Sequence, residues 1–596
     1  MLPFEAEILQ EFSILRLTPR FHQIEAISQV LKAFLIDRNR IVVLSAPTGA
    51  GKSLIATIVG IILDKHSPYQ AERFKSTGSK PQEPFPTALY VSATNVLGQQ
   101  YADSFKKIGI RSFLAVRGAG TYRCEYLTQK DGVETDGESC VFAELKLANN
   151  GAEHPLCSSC GLRIQRREKN ARQHVSTNYS YFFLQNLYVK QQNKYASLLE
   201  RSLVVWDEAQ LANDMYCEHA GVFYNEKTIE SFKNDGEKYF SPQLWNEQYK
   251  EGHDYLRENL RNCNEKNYLE YLDILYPWLE QMRDHFEVLR DRMKERNLFG
   301  EVKEDKVAEE NLRAYRAYNS RYKKYQGLAC KISDFRRYNY AHVFDGTDGI
   351  YSIKPIFMQA VKDVMMESGD HHLLMSATLS PSIIQLVFGF KKDEFFYIKL
   401  PPVFDPAHKL IDFAEPLNLN YETLKQSWTL DKISEKVLQI LNVHEGLNEK
   451  GLIQVPSFYL QDEIVKRISG KTNVKIVQHE RSLGMADALK TFKRTERPAV
   501  FISPSIFEGV DLPGDESSFQ ILVKAPFPSL ADKRIAYILD HHKAFFEEIT
   551  ILKMIQALGR SVRSETDFCI SYLLDTNLVR LFRSPRNLWQ DEFEIM

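Results

Sequence analysis

Short apolar runs alternate with amphipathic stretches along most of this chain. That pattern belongs to strands buried on both faces and to the helices that cover them. Ile41, Val42, Val43 and Leu44 predict one such strand, which breaks into a small-residue loop and then an apolar helical segment from Leu54 to Leu63. ALYVSAT (88–94) and LVVWDEAQ (203–210) predict further strands, as do GLIQVPSF (451–458), PAVFISP (498–504) and ILVKAPF (521–527). Two stretches break the alternation. Residues 64–87 are polar and aperiodic and read as a surface loop. The middle of the chain is helical: Leu272, Leu275, Leu279, Met282, Phe286, Leu289 and Met293 alternate spacings of three and four. Pro277 should start or kink that helix. Ala308, Leu312, Tyr315, Tyr322, Tyr325, Ala329 and Ile332 form a return stripe after a polar turn near Gly300, which predicts an antiparallel hairpin outside the α/β core.

Chemistry enters at the ends of the predicted strands. IVVLSAPTGAGKS (41–53) places glycines and a Lys-Ser pair between strand and helix, the context of a phosphate-binding loop. Thr48, Gly49, Ala50 and Gly51 would turn backbone N–H groups onto phosphate oxygens at a helix N-terminus. Lys52 would reach the β/γ-phosphates of ATP and Ser53 would hold Mg²⁺. Ala46 stands where the usual pattern has its first glycine, the form familiar from helicases. Asp207 and Glu208 close another strand, the first suited to the Mg²⁺ shell and the second to taking a proton from an attacking water. Arg20 and Gln23, one helical turn apart, offer an adenine-reading pair. MIQALGRSVR (554–563) reads as a helix presenting Gln556, Arg560 and Arg563 on one side, two arginines that can reach a γ-phosphate held elsewhere.

The spacing of these motifs calls for insertions. Asp207 comes 155 positions after Lys52, and Ser376 in HLLMSATLS comes 169 positions after Asp207. Four of the eight cysteines fall in the first gap as C-x15-C-x16-C-x2-C (Cys124, Cys140, Cys157, Cys160). That clustering points to zinc or a [4Fe–4S] cluster, and spacing does not choose between them. A basic stretch, GLRIQRREKNARQH (161–174), follows directly and could lie along phosphates or form a solvated face. The net charge is −2, so any nucleic-acid surface is local. The N-terminus lacks a cationic leader, no apolar run is long enough to span a bilayer, and the expected location is cytoplasmic, or nucleoid-associated in a prokaryote.

APTGAGKS, DEAQ, MSATL, FEGVDLPG and QALGRSVR occur in the order of a superfamily 2 helicase, and with the cysteine and helical inserts the chain resembles the XPD/DinG branch. The resemblance implies an α/β fold of two RecA-like P-loop domains with an inserted iron–sulfur domain and an inserted helical arch. The corresponding division is 1–110, 176–220 and 351–400 for the first RecA-like domain, 111–175 for the iron–sulfur domain, 221–350 for the arch and 401–596 for the second RecA-like domain. It implies a 5′→3′ ATP-dependent DNA helicase acting on single-stranded DNA and forks as a monomer, with the four cysteines as cluster ligands. Thr378 would couple nucleotide state to DNA grip, and Glu508, Gly509 and Asp511 would line the nucleotide and DNA seam. Gln210 departs from the histidine of a DEAH box, and the cysteine spacing departs from that of the usual members. The alternatives are a DEAH-type RNA helicase and an ATPase that remodels or is recruited to a larger assembly, such as a repair complex or a CRISPR-associated ribonucleoprotein.

Overall fold

Alternate residues of Ile41–Ser45 enter two different apolar layers: Ile41 and Val43 face one, Val42 and Leu44 the other. The strand is therefore covered on both sides, as its unbroken apolar run requires. It lies within a seven-stranded parallel sheet whose spatial order is Phe396–Lys399, Ile41–Ser45, Gly369–Ser376, Arg201–Asp207, Ala88–Ser92, His174–Asn178, Phe113–Ala115. The computed structural model describes all residues except 1, 48, 67–86, 111, 132–154, 190–197, 199, 299–304, 414, 483, 505–511 and 513. The predicted loop 64–87 lies mostly outside the described residues; its first residues complete the helix Lys52–His66.

A second seven-stranded parallel sheet follows in the order Lys475–Gln478, Ala499–Ser503, Lys450–Gln454, Phe519–Leu522, Cys569–Leu573, Lys409–Asp412, Glu594–Ile595. The two sheets share apolar packing. Helices Lys533–His541 and Lys543–Leu558 of the second unit bury Ile535, Ile538, Phe545 and Ile551 in the same layer as Trp206, Leu374 and Phe388 of the first. Arg534 adds an ion pair to Asp214 at 2.6 Å across this contact.

Between the strands Arg201–Asp207 and Gly369–Ser376 the chain leaves the first sheet. Helices Tyr268–Leu298 and Asp305–Tyr338 form the expected hairpin, based on a small antiparallel sheet of Val222–Asn225, Ile350–Pro355 and His342–Asp345. Leu272, Leu275, Leu279, Met282 and Phe286 are fully buried against Tyr325, Ala329 and Ile332. Of the two expectations for Pro277, a helix start is corrected: it is the tenth residue of a helix that begins at Tyr268. The apolar layer beneath it, including Leu275, Trp278 and Leu279, holds the helix across the missing N–H.

Candidate active site

Three neighbouring strands of the first sheet end at one edge: Ile41–Ser45, Gly369–Ser376 and Arg201–Asp207. Ligands of open α/β sheets bind at such carboxyl ends. The glycine loop leaves the first of these strands and is tied to the second by the Ala46 N–H donating to the Ser376 carbonyl at 2.9 Å. Gly49 and Gly51 have φ of 86° and 80°, which a side chain would not tolerate. A Cβ on Gly49 would also stand 2.6 Å from the Phe404 ring, and one on Gly51 would strike the Gln23 amide. The loop thus keeps a bare backbone concavity at the start of helix Lys52–His66, a fit for phosphate. Arg20 Nη1 donates to the Gly49 carbonyl and Gln23 Nε2 to the Ala50 carbonyl, each at 3.2 Å. The two residues singled out ahead of the loop therefore lie against it. Thr48 is outside the described residues.

Lys52 Nζ is 3.7 Å from Glu208 Oε1. Glu208 holds a left-handed backbone, φ 50° and ψ 51°, an uncommon conformation for a non-glycine residue and one found at active sites. Asp207, just before it, is buried. Burial pushes its carboxyl up to about 6, the Glu208 charge adds to the shift, and Lys52 opposes it. A buried carboxylate beside a P-loop serine and a lysine suits a divalent cation, which would repay the cost of keeping it charged.

Hydrogen bonds run from Glu208 into the second unit. Ser376 Oγ donates to Glu208 Oε2 at 3.3 Å, and the Thr378 N–H donates to Ser376 Oγ at 3.0 Å. Gln556 Nε2 then donates to Thr378 Oγ1 at 3.3 Å. Gln210, which occupies the DEAH histidine position, donates to the same oxygen, Glu208 Oε2, at 2.8 Å. Just beyond Thr378, Ser380 and Ser382 donate to Glu548, a buried carboxyl of helix Lys543–Leu558.

The arginine reading requires a correction. The helix carrying Gln556 ends at Leu558 with Gly559 as its cap, so Arg560 and Arg563 stand in the turn beyond it and share no helical face. The Asp567 carboxylate organises that turn by accepting from the N–H groups of Arg563 and Ser564 at 2.7 and 2.9 Å. The Arg563 carbonyl lies 3.7 Å from where a Cβ on Gly49 would stand, so this turn faces the glycine loop. Glu508, Gly509 and Asp511 are outside the described residues.

Sequence reasoning missed Tyr101. It lies on helix Asn95–Lys107, where an aromatic on an apolar face reads only as core. Its ring is buried against Tyr90 and Phe105, and its hydroxyl lies beside Ser53 and Asp207. An amphipathic pattern gives no sign of where one phenolic oxygen points.

Cys124 precedes helix Glu125–Asp131, which packs on Pro155–Ser158 carrying Cys157. That turn in turn packs on helix Gly161–Glu168, whose cap is Cys160. Cys140 is outside the described residues, and among those described no three His, Cys, Asp or Glu side chains are grouped to hold a metal ion. The basic stretch 161–174 is divided: Arg166 and Arg167 are exposed, Arg172 pairs with Glu168, and Lys169 turns inward to Gln185. Its last residue, His174, is buried and starts a strand.

Two family models match the sequence: the type III restriction enzyme res subunit over residues 16–233 and the helicase C-terminal domain over 438–588. No curated protein matches the chain. Among solved structures, an XPD helicase aligns over 97% of this chain and 99% of its own at 15% identity and a TM-score of 0.58. Xpd4 of S. tokodaii aligns over 97% and 100% at 14% identity and a TM-score of 0.55. An apo XPD structure aligns over 96% and 99% at 14% identity and 0.52. At these identities the likeness carries the architecture, including the inserts seen here. The helicase C-terminal domain model is matched over 438–588 only, and the whole-chain likeness to XPD structures shows the fold of this protein and not its family.

Proposed function

We propose that this protein hydrolyses ATP to move 5′→3′ along single-stranded DNA and to unwind the duplex ahead. The observation that carries the reading is the line of hydrogen bonds from Gln556 through Thr378 and Ser376 to Glu208, which joins the two sheets at the glycine loop. A cleft wired in this way links the distance between the sheets to the position of the candidate general base, which is what a translocation cycle needs. In this reading Gly49, Ala50, Gly51 and Lys52 bind the phosphates, with Thr48 among the loop ligands. Arg20, Gln23, Gln556 and Asp511 hold the rest of the nucleotide. Ser53 and Asp207 hold Mg²⁺, which when bound neutralises charge on the β- and γ-phosphates. Glu208 accepts the proton of the attacking water, while Arg560 and Arg563 reach in from the second unit to the γ-phosphate.

Opening one base-pair step costs about 1.4 kcal/mol, so each cycle has little mechanical work to do. The helical hairpin and the cysteine-bearing stretch would hold the strands apart. We further propose that Cys124, Cys140, Cys157 and Cys160 hold a [4Fe–4S] cluster that staples that stretch. Resemblance and the mutual packing of the three short elements carrying Cys124, Cys157 and Cys160 support this. A recruiting protein or ribonucleoprotein is the further partner class. The test is unwinding of duplexes with a 5′ or a 3′ single-stranded tail, in DNA and in RNA, with iron content measured on the same anaerobic preparation. A 5′-tailed DNA preference with about four irons per chain is expected. A 3′ preference, RNA selectivity or one zinc per chain would each overturn the corresponding part.

A further inference from the structure

Tyr101 presents an anomaly at the cation end of the cleft. Its side chain is 4% exposed, and its hydroxyl makes no hydrogen bond of normal geometry, although it lies beside the Ser53 hydroxyl and the Asp207 carboxylate. A buried hydroxyl without a partner is costly and rare, and where one occurs a missing water or ion is a common cause. The ring has no freedom to seek a partner elsewhere. Tyr90 packs against it with tilted planes at a centroid distance of 4.9 Å, and Phe105, which also touches Tyr90, stacks on it at 6.3 Å.

We propose that Tyr101 is a positioning residue of the cation site, its hydroxyl bonding a water of the Mg²⁺ shell held between Ser53 and Asp207. Mg²⁺ keeps several of its waters when it binds protein, so a buried oxygen next to two candidate ligands has a natural partner there. Outer partners of this kind orient the coordination sphere without touching the metal. The placement also has a consequence along the chain. Tyr101 rides on the helix whose N-cap, Thr94, stands at the carboxyl edge of strand Ala88–Ser92, so a shift of that helix changes the cation site directly. The proposal rests on the assignment of Ser53 and Asp207 to Mg²⁺.

The test is the affinity of the full chain for a fluorescently labelled ADP with and without Mg²⁺, in the parent, Tyr101→Phe and Asp207→Asn. Tyr101→Phe removes one oxygen and keeps the packing. It should leave metal-free binding unchanged and lower the Mg²⁺-dependent gain in affinity by about tenfold, the lower end of the usual cost of losing an outer partner. The melting temperature without nucleotide should stay level or rise, because the unpaired hydroxyl is gone. An undiminished Mg²⁺ gain in Tyr101→Phe, or an equal loss with and without the metal, overturns the role of Tyr101. If Asp207→Asn abolishes the gain in the same experiment, the cation-site assignment stands without Tyr101; if Asp207→Asn keeps the gain, both fall.

Discussion

The nucleotide cleft and the cysteine-bearing stretch both lie between Ile41 and Asp207, yet different forces hold them. The cleft takes its side chains from the ends of three adjacent strands in a sheet covered on both faces. Among the described residues the stretch shows helices of seven, four and eight residues, too short to be stable by themselves, and the last of them buries Leu162 and Gln165. Apolar burial therefore positions the cleft before any ligand arrives. On the proposed reading the cysteine stretch takes its support from a coordinate staple instead, as other small units without a large core do. Substitutions in the cleft should remove chemistry and spare the fold; substitutions in the stretch should do the reverse.

The largest effect should come from the cleft. Lys52→Ala removes the cation closest to Glu208, and Arg563→Ala removes one candidate finger of the second unit. Loss of an arginine finger costs about 10³–10⁵-fold in turnover, and both variants should fall in that range while melting like the parent. Steady-state ATPase with single-stranded DNA, paired with thermal unfolding, checks both halves. Retained turnover in Lys52→Ala breaks the comparison on the side of the cleft.

Cys157→Ser should act the other way. Duplex unwinding and bound iron should both disappear, and limited proteolysis should open the segment between Cys124 and Glu168. DNA-stimulated ATPase should persist within a few-fold, because Lys52, Asp207 and Arg560 lie outside the stretch. An equal loss of ATPase would show that the stretch supports the sheet itself, and the contrast between the regions would disappear.

The same contrast explains what the sequence reveals. The strands ending in the glycine loop, Asp207 and Ser376 are legible because burial on both faces writes a continuous apolar run and the loops after them carry unusual residues. His174–Asn178 is not legible. Its composition is polar, with Val175 its only aliphatic residue, and the buried Ser176 Oγ is satisfied by the Gly98 carbonyl at 2.9 Å. The helix stop before Arg560 is not legible, because the residues up to Leu558 are helix formers and Gly559 ends the helix with an ordinary negative φ. Pro277 argues for a break that local rules favour, and packing against the partner helix overrides them. Tyr101 is invisible in sequence for a different reason: its ring obeys the amphipathic pattern, and only its hydroxyl departs from it.

The smallest effect concerns the cost of holding the cleft charged, and it gives the sharpest view of the cleft's rigidity. The Asp207 carboxyl is pushed from an ordinary 3.8 to about 6, chiefly by burial. The folded chain thus binds this proton more tightly than the unfolded one. The stabilising contribution is full below about pH 4 and is lost as pH rises through about 6. Above that range the empty cleft carries a buried charge, at a cost on the order of 1–3 kcal/mol that remains after Lys52 has offset part of it. Asp207→Asn removes the charge and keeps the shape. Without nucleotide, this variant should melt a few degrees above the parent at pH 8 and close to it at pH 5, and Mg²⁺ with ADP should restore the parent's stability at pH 8. A gap that is the same at both pH values would mean that Lys52 already compensates the carboxylate fully. The cleft would then be preorganised in its charges as well as in its backbone, with no cost left for the cation to relieve.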